Sequence, residues 1–243
     1  MDKKLEDEWS HWKNRYNYIA ETREKRVEWL KAEVAFIKGN LHRAIGKELD
    51  GDSRVLQIGA GPVDVIHFWP SRDRHAIDPL AKKYINLYRD FQNSAVDYRN
   101  GFGEALPYRG NFFDLVIIRN ALDHVYHPEK TMREIYRVLK PNGAVYIWMH
   151  LYKVRTSIAY RAINLMTKKY ESEPWAFTWN RINGMLVRNG FELKNTMAEI
   201  NTDKRKEVWG GRKESRLKSS IRLLLGWLHD TGYICVATKT IMR

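Results

Sequence analysis

One cysteine in 243 residues, Cys235, leaves no partner for an internal disulfide, no CxxC redox pair and no cysteine-rich zinc site. A reducing compartment is the simplest reading, and no metal is expected. Long apolar runs are missing too: no stretch approaches the roughly 18 uninterrupted apolar residues of a membrane-spanning helix. The opening MDKKLEDEWS mixes both charges and leads into no apolar core of a secretory signal. A cytoplasmic protein is therefore expected. Low-complexity tracts, flexible linkers and internal repeats are also lacking, which argues for one folded unit. Acidic residues are in deficit, 29 against 42 Lys and Arg, for a formal net charge of +13. Such an excess attracts an anion, whether nucleic acid, anionic lipid or a phosphorylated small molecule, and charge alone does not choose among them.

What the chain does contain is apolar surface enough for one large domain, 44% hydrophobic and 12% aromatic residues. Residues 1–50 carry the helical period throughout. Trp9, Trp12, Tyr16 and Ile19 recur at three- and four-residue steps, and Val27, Leu30, Val34, Ile37 and Leu41 continue the stripe. Gly39-Asn40 predicts a break, and Asp50-Gly51-Asp52-Ser53 a turn at the end. An amphipathic extension packed on the main domain is the plain reading; a lid over a substrate pocket is the sharper one.

From Ser53 short β-branched runs alternate with helical stretches, the pattern of a parallel sheet wrapped by helices. Strands are expected over Val55–Ile58, Arg74–Ile77, Ala95–Tyr98, Asp114–Ile118 and Ala144–Met149. Between the last two, a helix should start at Pro128, with Met132, Ile135, Tyr136 and Leu139 on one face and Lys140-Pro141-Asn142-Gly143 ending it. Further on, residues 154–170 and 175–188 read as helices, with Gly190 closing the second. Phe191–Met197 and Tyr233–Thr238 read as strands. The expected fold is α/β: a doubly wound, Rossmann-like, mostly parallel sheet of seven strands with a helical extension at the N-terminus.

The first strand runs into a glycine-rich turn, Gly59-Ala60-Gly61, where missing side chains let the backbone approach a ligand closely. Asp78 ends the second strand, 19 positions after Gly59. An acidic residue there can accept hydrogen bonds from both hydroxyls of a ribose. A dinucleotide fingerprint would need a third glycine three positions after Gly61, and Asp64 stands there, which disfavours a pyrophosphate cradle. S-adenosylmethionine carries ribose and adenine without phosphate, so it can use the acidic clamp without an anion-binding turn.

At VLQIGAGP from Val55, HAIDPL from His75 and GEALPYRGNFFDLVIIRNALDHVYHPEKTMREIYRVLKPNGAVYIW from Gly103 to Trp148, the chain resembles the class I S-adenosylmethionine-dependent methyltransferases. Within them it is similar to the branch that includes quinone-biosynthesis methyltransferases. The resemblance implies S-adenosylmethionine as cofactor and a methyltransferase domain over residues 51–243, with a donor half at about 51–150 and an acceptor-side half at about 151–243. It implies that Gly59, Ala60 and Gly61 line the methionine and ribose part of the donor, that Asp78 clamps the ribose, that Gly103 and Glu104 lie near the adenine, and that Asn120 sits beside the reactive methyl. Three positions depart from the family. Gln57 replaces an acidic residue that helps hold the methionine end, Val63 replaces a further glycine, and Phe102 replaces an aspartate near the adenine amino group, where its ring could stack on the base.

Methyl transfer from a sulfonium is an in-line displacement, so such an enzyme chiefly orients the acceptor and removes a proton when the acceptor is a hydroxyl. A base should lie at the C-terminal edge of the sheet. His150 is the first candidate, since a histidine can accept a proton near neutral pH; Asp123 and His127 follow, and His124 is expected to organise its turn. Arg119-Asn120-Ala121-Leu122 contains no Asp/Asn-Pro-Pro-aromatic motif, which argues against methylation of base amino groups. Two basic stretches flank the acceptor side: Lys153, Arg155, Arg161, Lys168 and Lys169 among apolar Ile158, Ala162 and Leu165, and Lys213, Arg216, Lys218 and Arg222 among leucines. They read as amphipathic helices able to meet an anionic membrane surface. O-methylation of a small-molecule, glycan or lipid-linked acceptor is the leading expectation. An RNA-directed methyltransferase and a non-catalytic donor-binding protein are the alternatives, with nucleic acid the less favoured partner.

Overall fold

The computed structural model describes residues 2–91, 93–167, 174–199 and 231–240. Helix α1 (Lys3–Glu21) is capped by the Asp2 carboxylate, which accepts from the Leu5 N–H at 3.0 Å. The expected break at Gly39-Asn40 falls instead at Thr22. Its N–H and hydroxyl both donate to the Tyr18 carbonyl, at 3.1 and 2.7 Å, closing the last turn of α1. Gly39 and Asn40 continue helix α2 (Arg23–Ile45), because Asn40 is fully buried and its side-chain oxygen accepts from Arg43 at 2.7 Å. Gly46, at φ +64°, terminates that helix.

Seven strands follow the expected order with longer reach: β1 (Gly51–Ile58), β2 (Ser71–Asp78), β3 (Val96–Asn100), β4 (Phe113–Arg119), β5 (Leu139–Leu151), β6 (Phe191–Glu199) and β7 (Thr231–Lys239). Helix α3 (Ala81–Leu87) follows β2, α4 (Pro128–Val138) joins β4 to β5, and α5 (Val154–Thr167) and α6 (Trp179–Arg188) lie between β5 and β6. The turn expected at Asp50–Ser53 closes through Ser53 N–H to the Asp50 carbonyl, and a bulge after Gly51 lets β1 begin within it. Likewise Lys140–Gly143 lies inside β5, with a bulge in the partner strand at Phe113–Leu115 absorbing it. Helix α6 starts four residues later than expected: Thr178 caps it, and the preceding Phe177 carbonyl accepts from Tyr152 N–H at 2.8 Å, an extended connection.

The sheet order is β3-β2-β1-β4-β5-β7-β6, with β1 to β5 parallel and β7 antiparallel to both its neighbours. Strand order reverses between β1 and β4, and the crevice beyond their C-terminal ends is where doubly wound sheets hold ligands. Period-two alternation sends Leu56, Ile58, Val116, Ile118, Val145 and Ile147 toward α4 and α6. Val55, Leu115, Ile117, Tyr146, Ile234 and Val236 face Leu30, Val34, Ile37 and Leu41 of α2. Helix α2 is thus one of the two layers that cover the sheet, more than an appended extension. Replacing fully buried Ile37 with alanine should cost about 2 to 5 kcal/mol. Urea unfolding checks this, and a midpoint unchanged from wild type would mean α2 contributes nothing to the fold.

Candidate active site

The crevice is built on conformational necessity at Gly59. Its φ is +65° and its N–H donates to the Ile77 carbonyl at 2.9 Å, joining the loop after β1 to β2. A Cβ there would stand 2.4 Å from that of Ala121, so only glycine allows the loops after β1 and β4 to meet so closely. Gly61 follows at φ +56°. Its N–H donates at 3.0 Å to one oxygen of Asp78, whose other oxygen accepts from the Leu80 N–H at 2.8 Å. The Tyr98 hydroxyl donates to the Gly61 carbonyl. Burial pushes the Asp78 carboxyl up to about 6, with the two N–H donors pulling the other way.

Behind the loop lies a buried polar chain. Gln57 is fully buried; its amide donates to Asp64 at 2.6 Å and its oxygen accepts from the Ile66 N–H at 3.1 Å. Asp64 also accepts from its neighbour's Val65 N–H at 2.8 Å and forms an ion pair with Arg119 at the end of β4. The other arm of Arg119 meets Glu33 of α2 at 2.8 Å. Burial opposes the charge of Arg119, and Asp64 and Glu33 more than offset it, holding the guanidinium above its ordinary value. Where the family has an acid on the strand, this chain has Gln57 and places the carboxylate seven residues on, in the loop.

The remaining sequence-predicted residues divide by position. Ala60 is buried in the α2-side core. Asn120 adopts φ +46° and its N–H donates to the Trp148 carbonyl at 2.7 Å, pinning the loop after β4 to β5. A Cβ on Gly103 would come within 3.1 Å of both Thr131 and Ile58, so this glycine serves close packing between α4 and β1. The buried Glu104 carboxylate accepts from the N–H groups of Tyr126 and His127, at 2.7 and 3.0 Å, and so organises the turn into α4. Phe102 is exposed, its ring 5.9 Å from that of Tyr126. Asp123 is buried 4.0 Å from the His124 imidazole, whereas His127 is an exposed residue at the start of α4. His150 lies apart from these, on β5, with its ring edge-on to Trp148 at 4.9 Å.

Sequence reasoning missed the residues that close the crevice. Asp64 and Arg119 register in the sequence only as departures from motifs, and Lys4, Glu8 and Trp12 only as parts of a helical stripe. The buried chain yields a stability test. Arg119→Ala leaves two carboxylates facing each other without their cation, which should cost about 3 to 5 kcal/mol. Denaturant unfolding measures the loss, and a change below 1 kcal/mol, on the order of a surface pair, would refute the role.

A nucleoside donor fits these residues: the backbone of Gly59 to Gly61 is bare of side chains, and an acidic side chain stands at the end of β2. Residues 56–147 match the methyltransferase domain family. A mitochondrial 2-methoxy-6-polyprenyl-1,4-benzoquinol methylase of Caenorhabditis elegans is 35% identical over 68 residues, covering 28% of this chain and 24% of that protein. The ubiquinone/menaquinone biosynthesis C-methyltransferase UbiE of Pseudomonas fluorescens is 26% identical over 178 residues, covering 67% of this chain and 66% of that protein. The chain therefore spans less than two thirds of the length of either relative. Among solved structures, an S-adenosylmethionine-dependent methyltransferase from Mesorhizobium loti shares the fold at TM-score 0.58 and 16% identity, over 81% of this chain and 95% of that one. Strand order, the glycine loop with its acidic partner and the matched domain agree: the chain belongs to the class I S-adenosylmethionine-dependent methyltransferases.

Proposed function

We propose that the chain transfers a methyl group from S-adenosylmethionine to a hydroxyl-bearing small-molecule, glycan or lipid-linked acceptor. The observation that supports donor binding most directly is the buried Asp78 carboxylate, tied to the Gly61 N–H at 3.0 Å at the switch point of the sheet. When bound, S-adenosylmethionine supplies an electrophilic methyl group on a sulfonium. The protein's own work is to bind, orient and take up a proton. Asp78 accepts from ribose hydroxyls, and the bare backbone of Gly59 to Gly61 receives the amino-acid end. His150, two residues beyond the Trp148 carbonyl that holds Asn120, takes the proton that the acceptor hydroxyl gives up as its oxygen gains the methyl. Similarity to proteins named C-methyltransferases favours a second reading, in which the ring carbon of a quinol is methylated. Transfer of labelled methyl to a quinol, followed by identification of the product, separates an O-methyl ether from a ring methyl; label entering RNA alone would reject both.

Asp78→Ala should weaken affinity for S-adenosylmethionine about tenfold or more, since each hydrogen bond to a charged acceptor contributes about 1.5 to 3 kcal/mol. The pH dependence has a definite sign. With Asp78 raised to about 6, the accepting carboxylate is complete at neutral pH and is lost as pH falls through about 6, so wild-type affinity should fall there and the alanine variant should show no such step. Calorimetry across that range checks both, and tight binding that ignores the substitution would remove Asp78 from the site.

For His150→Ala, turnover should drop roughly 100-fold while donor affinity changes little, the signature of lost proton transfer. Near-normal turnover would move the search to Asp123 and His127. It is a non-catalytic binding protein that should bind the donor and transfer to no fraction of a cell extract.

The basic excess is read as an attraction to anionic lipid. On α5, Val154, Ile158 and Leu165 are 61%, 64% and 86% exposed and lie along one side, with Arg155 and Arg161 beside them. The other basic stretch, Lys213 to Arg222, together with Lys168 and Lys169, lies outside the described residues. Among the described residues no helix is long and apolar enough to cross a membrane. Sedimentation with vesicles containing anionic lipid should show binding that survives partly at high salt, and Ile158→Asp with Leu165→Asp should reduce it more than about tenfold. Salt-steep RNA binding without vesicle association would put nucleic acid first instead.

A further inference from the structure

Three side chains of α1 recur at four-residue steps and so share one face: Lys4, Glu8 and Trp12. At one end, the Lys4 ammonium donates to the His124 carbonyl and lies 4.4 Å from the centre of the Tyr126 ring. The Tyr126 hydroxyl in turn meets the Asp2 carboxylate. At the other end, Trp12 lies 3.8 Å from the position a Gly61 Cβ would take, and its carbonyl accepts from the Tyr88 hydroxyl at 2.6 Å. This face of α1 therefore crosses from the loop after β4 to the loop after β1, the two loops that flank the switch point. Glu8 is carried between them and oriented by the Trp12 indole N–H, which donates to it at 2.7 Å.

We propose that Glu8 is a donor-binding residue, a second carboxylate that α1 holds over the crevice beside Asp78 to receive the cationic and hydroxyl-bearing groups of an adenosine-type donor. The inference rests on the donor-site reading above. Its physical basis is a repulsion in the free protein. Glu8 acts on Asp78 as a like charge, adding to burial, while His124 in the loop after β4 and the N–H groups of Gly61 and Leu80 favour the ionised form. Tyr84 of α3 and Tyr98 of β3 also stand near Asp78, and its negative charge helps keep both phenols protonated. Lys4 is the cation on the same face of α1 that feels Glu8, but the first effect on it is desolvation, and Glu104 attracts it more strongly. Two carboxylates brought together by the fold are relieved when a ligand donates to both, which turns the repulsion into selectivity for a donor of positive charge.

Calorimetry with S-adenosylhomocysteine, on the full chain and between about pH 5 and pH 8, tests this with wild type, Glu8→Gln and Glu8→Ala. Glutamine can still accept from the Trp12 indole, so the thermal midpoint of Glu8→Gln should stay near wild type. Its affinity should fall about tenfold or more at neutral pH. The pH at which the remaining affinity is lost should also move lower, because Asp78 no longer has its like-charged neighbour. A merely structural Glu8 would lower the thermal midpoint of the alanine variant and leave that pH unchanged. Wild-type affinity and an unshifted pH in Glu8→Gln overturn the proposal alone. No binding heat in wild type would overturn the donor reading and the proposal with it.

Discussion

Arg119 is the interaction on which the rest of the structure hangs. Its guanidinium is buried at the end of β4, where a cation is tolerated only if opposite charge meets it. Asp64 approaches from the loop after β1 and Glu33 from α2. Three segments distant in sequence are thereby bound to one point, directly behind the crevice. The pairing also explains why Gln57 is neutral. A second carboxylate at that position would lie against Asp64, already 2.6 Å from the Gln57 amide, and one arginine arm could not satisfy both.

From that point the geometry of the site follows in steps. Asp64 fixes the far end of the glycine loop, and the Gly61 N–H fixes its near end to Asp78. Gly59 and Ala121 let the loops after β1 and β4 touch, and Asn120 ties the second loop to β5. Helix α2, anchored by Glu33 and by its apolar face, then sets where α1 can return. The aromatic residues of α1 settle on α3, where Tyr16 lies 5.3 Å from Tyr88 and Trp9 6.2 Å from Tyr84. The roof of the crevice is a consequence of how its floor is held.

The sheet was legible in the sequence because its strands are buried on both faces and read as short β-branched runs, Val55–Ile58 and Asp114–Ile118 above all. Boundaries drifted where a local device overrode the pattern: a threonine hydroxyl ended α1 at Thr22, and bulges drew Gly51 and Lys140–Gly143 into strands. Gly59, Gly61 and Asp78 could be located because backbone approach and a strand-end carboxylate have a fixed spacing. Glu104 shows the opposite case. Its type and place suit a ligand contact, yet its carboxylate is occupied by two backbone N–H groups, a fact that depends on where the turn before α4 falls in space. Nothing in the spacing of Lys4, Glu8 and Trp12 says which loops they cross, since a helical stripe reports a buried face without naming what it is buried against.

Charge is distributed in a way that the net figure conceals. The chain as a whole is strongly basic, at +13, yet the crevice is lined by acids. Of these, Asp64 and Glu33 are matched by Arg119, and Glu104 is matched by N–H donors. Asp78 and Glu8 carry the local field that remains, and they face a loop whose backbone is bare. A donor bearing a sulfonium and an ammonium is drawn by that field once inside, whereas the basic exterior of the chain would repel it at long range, weakly at physiological salt. The same exterior attracts an anionic acceptor or the surface that carries it. Separation of sign between crevice and exterior thus lets one chain select two reactants of opposite charge, each by short-range contacts in its own place.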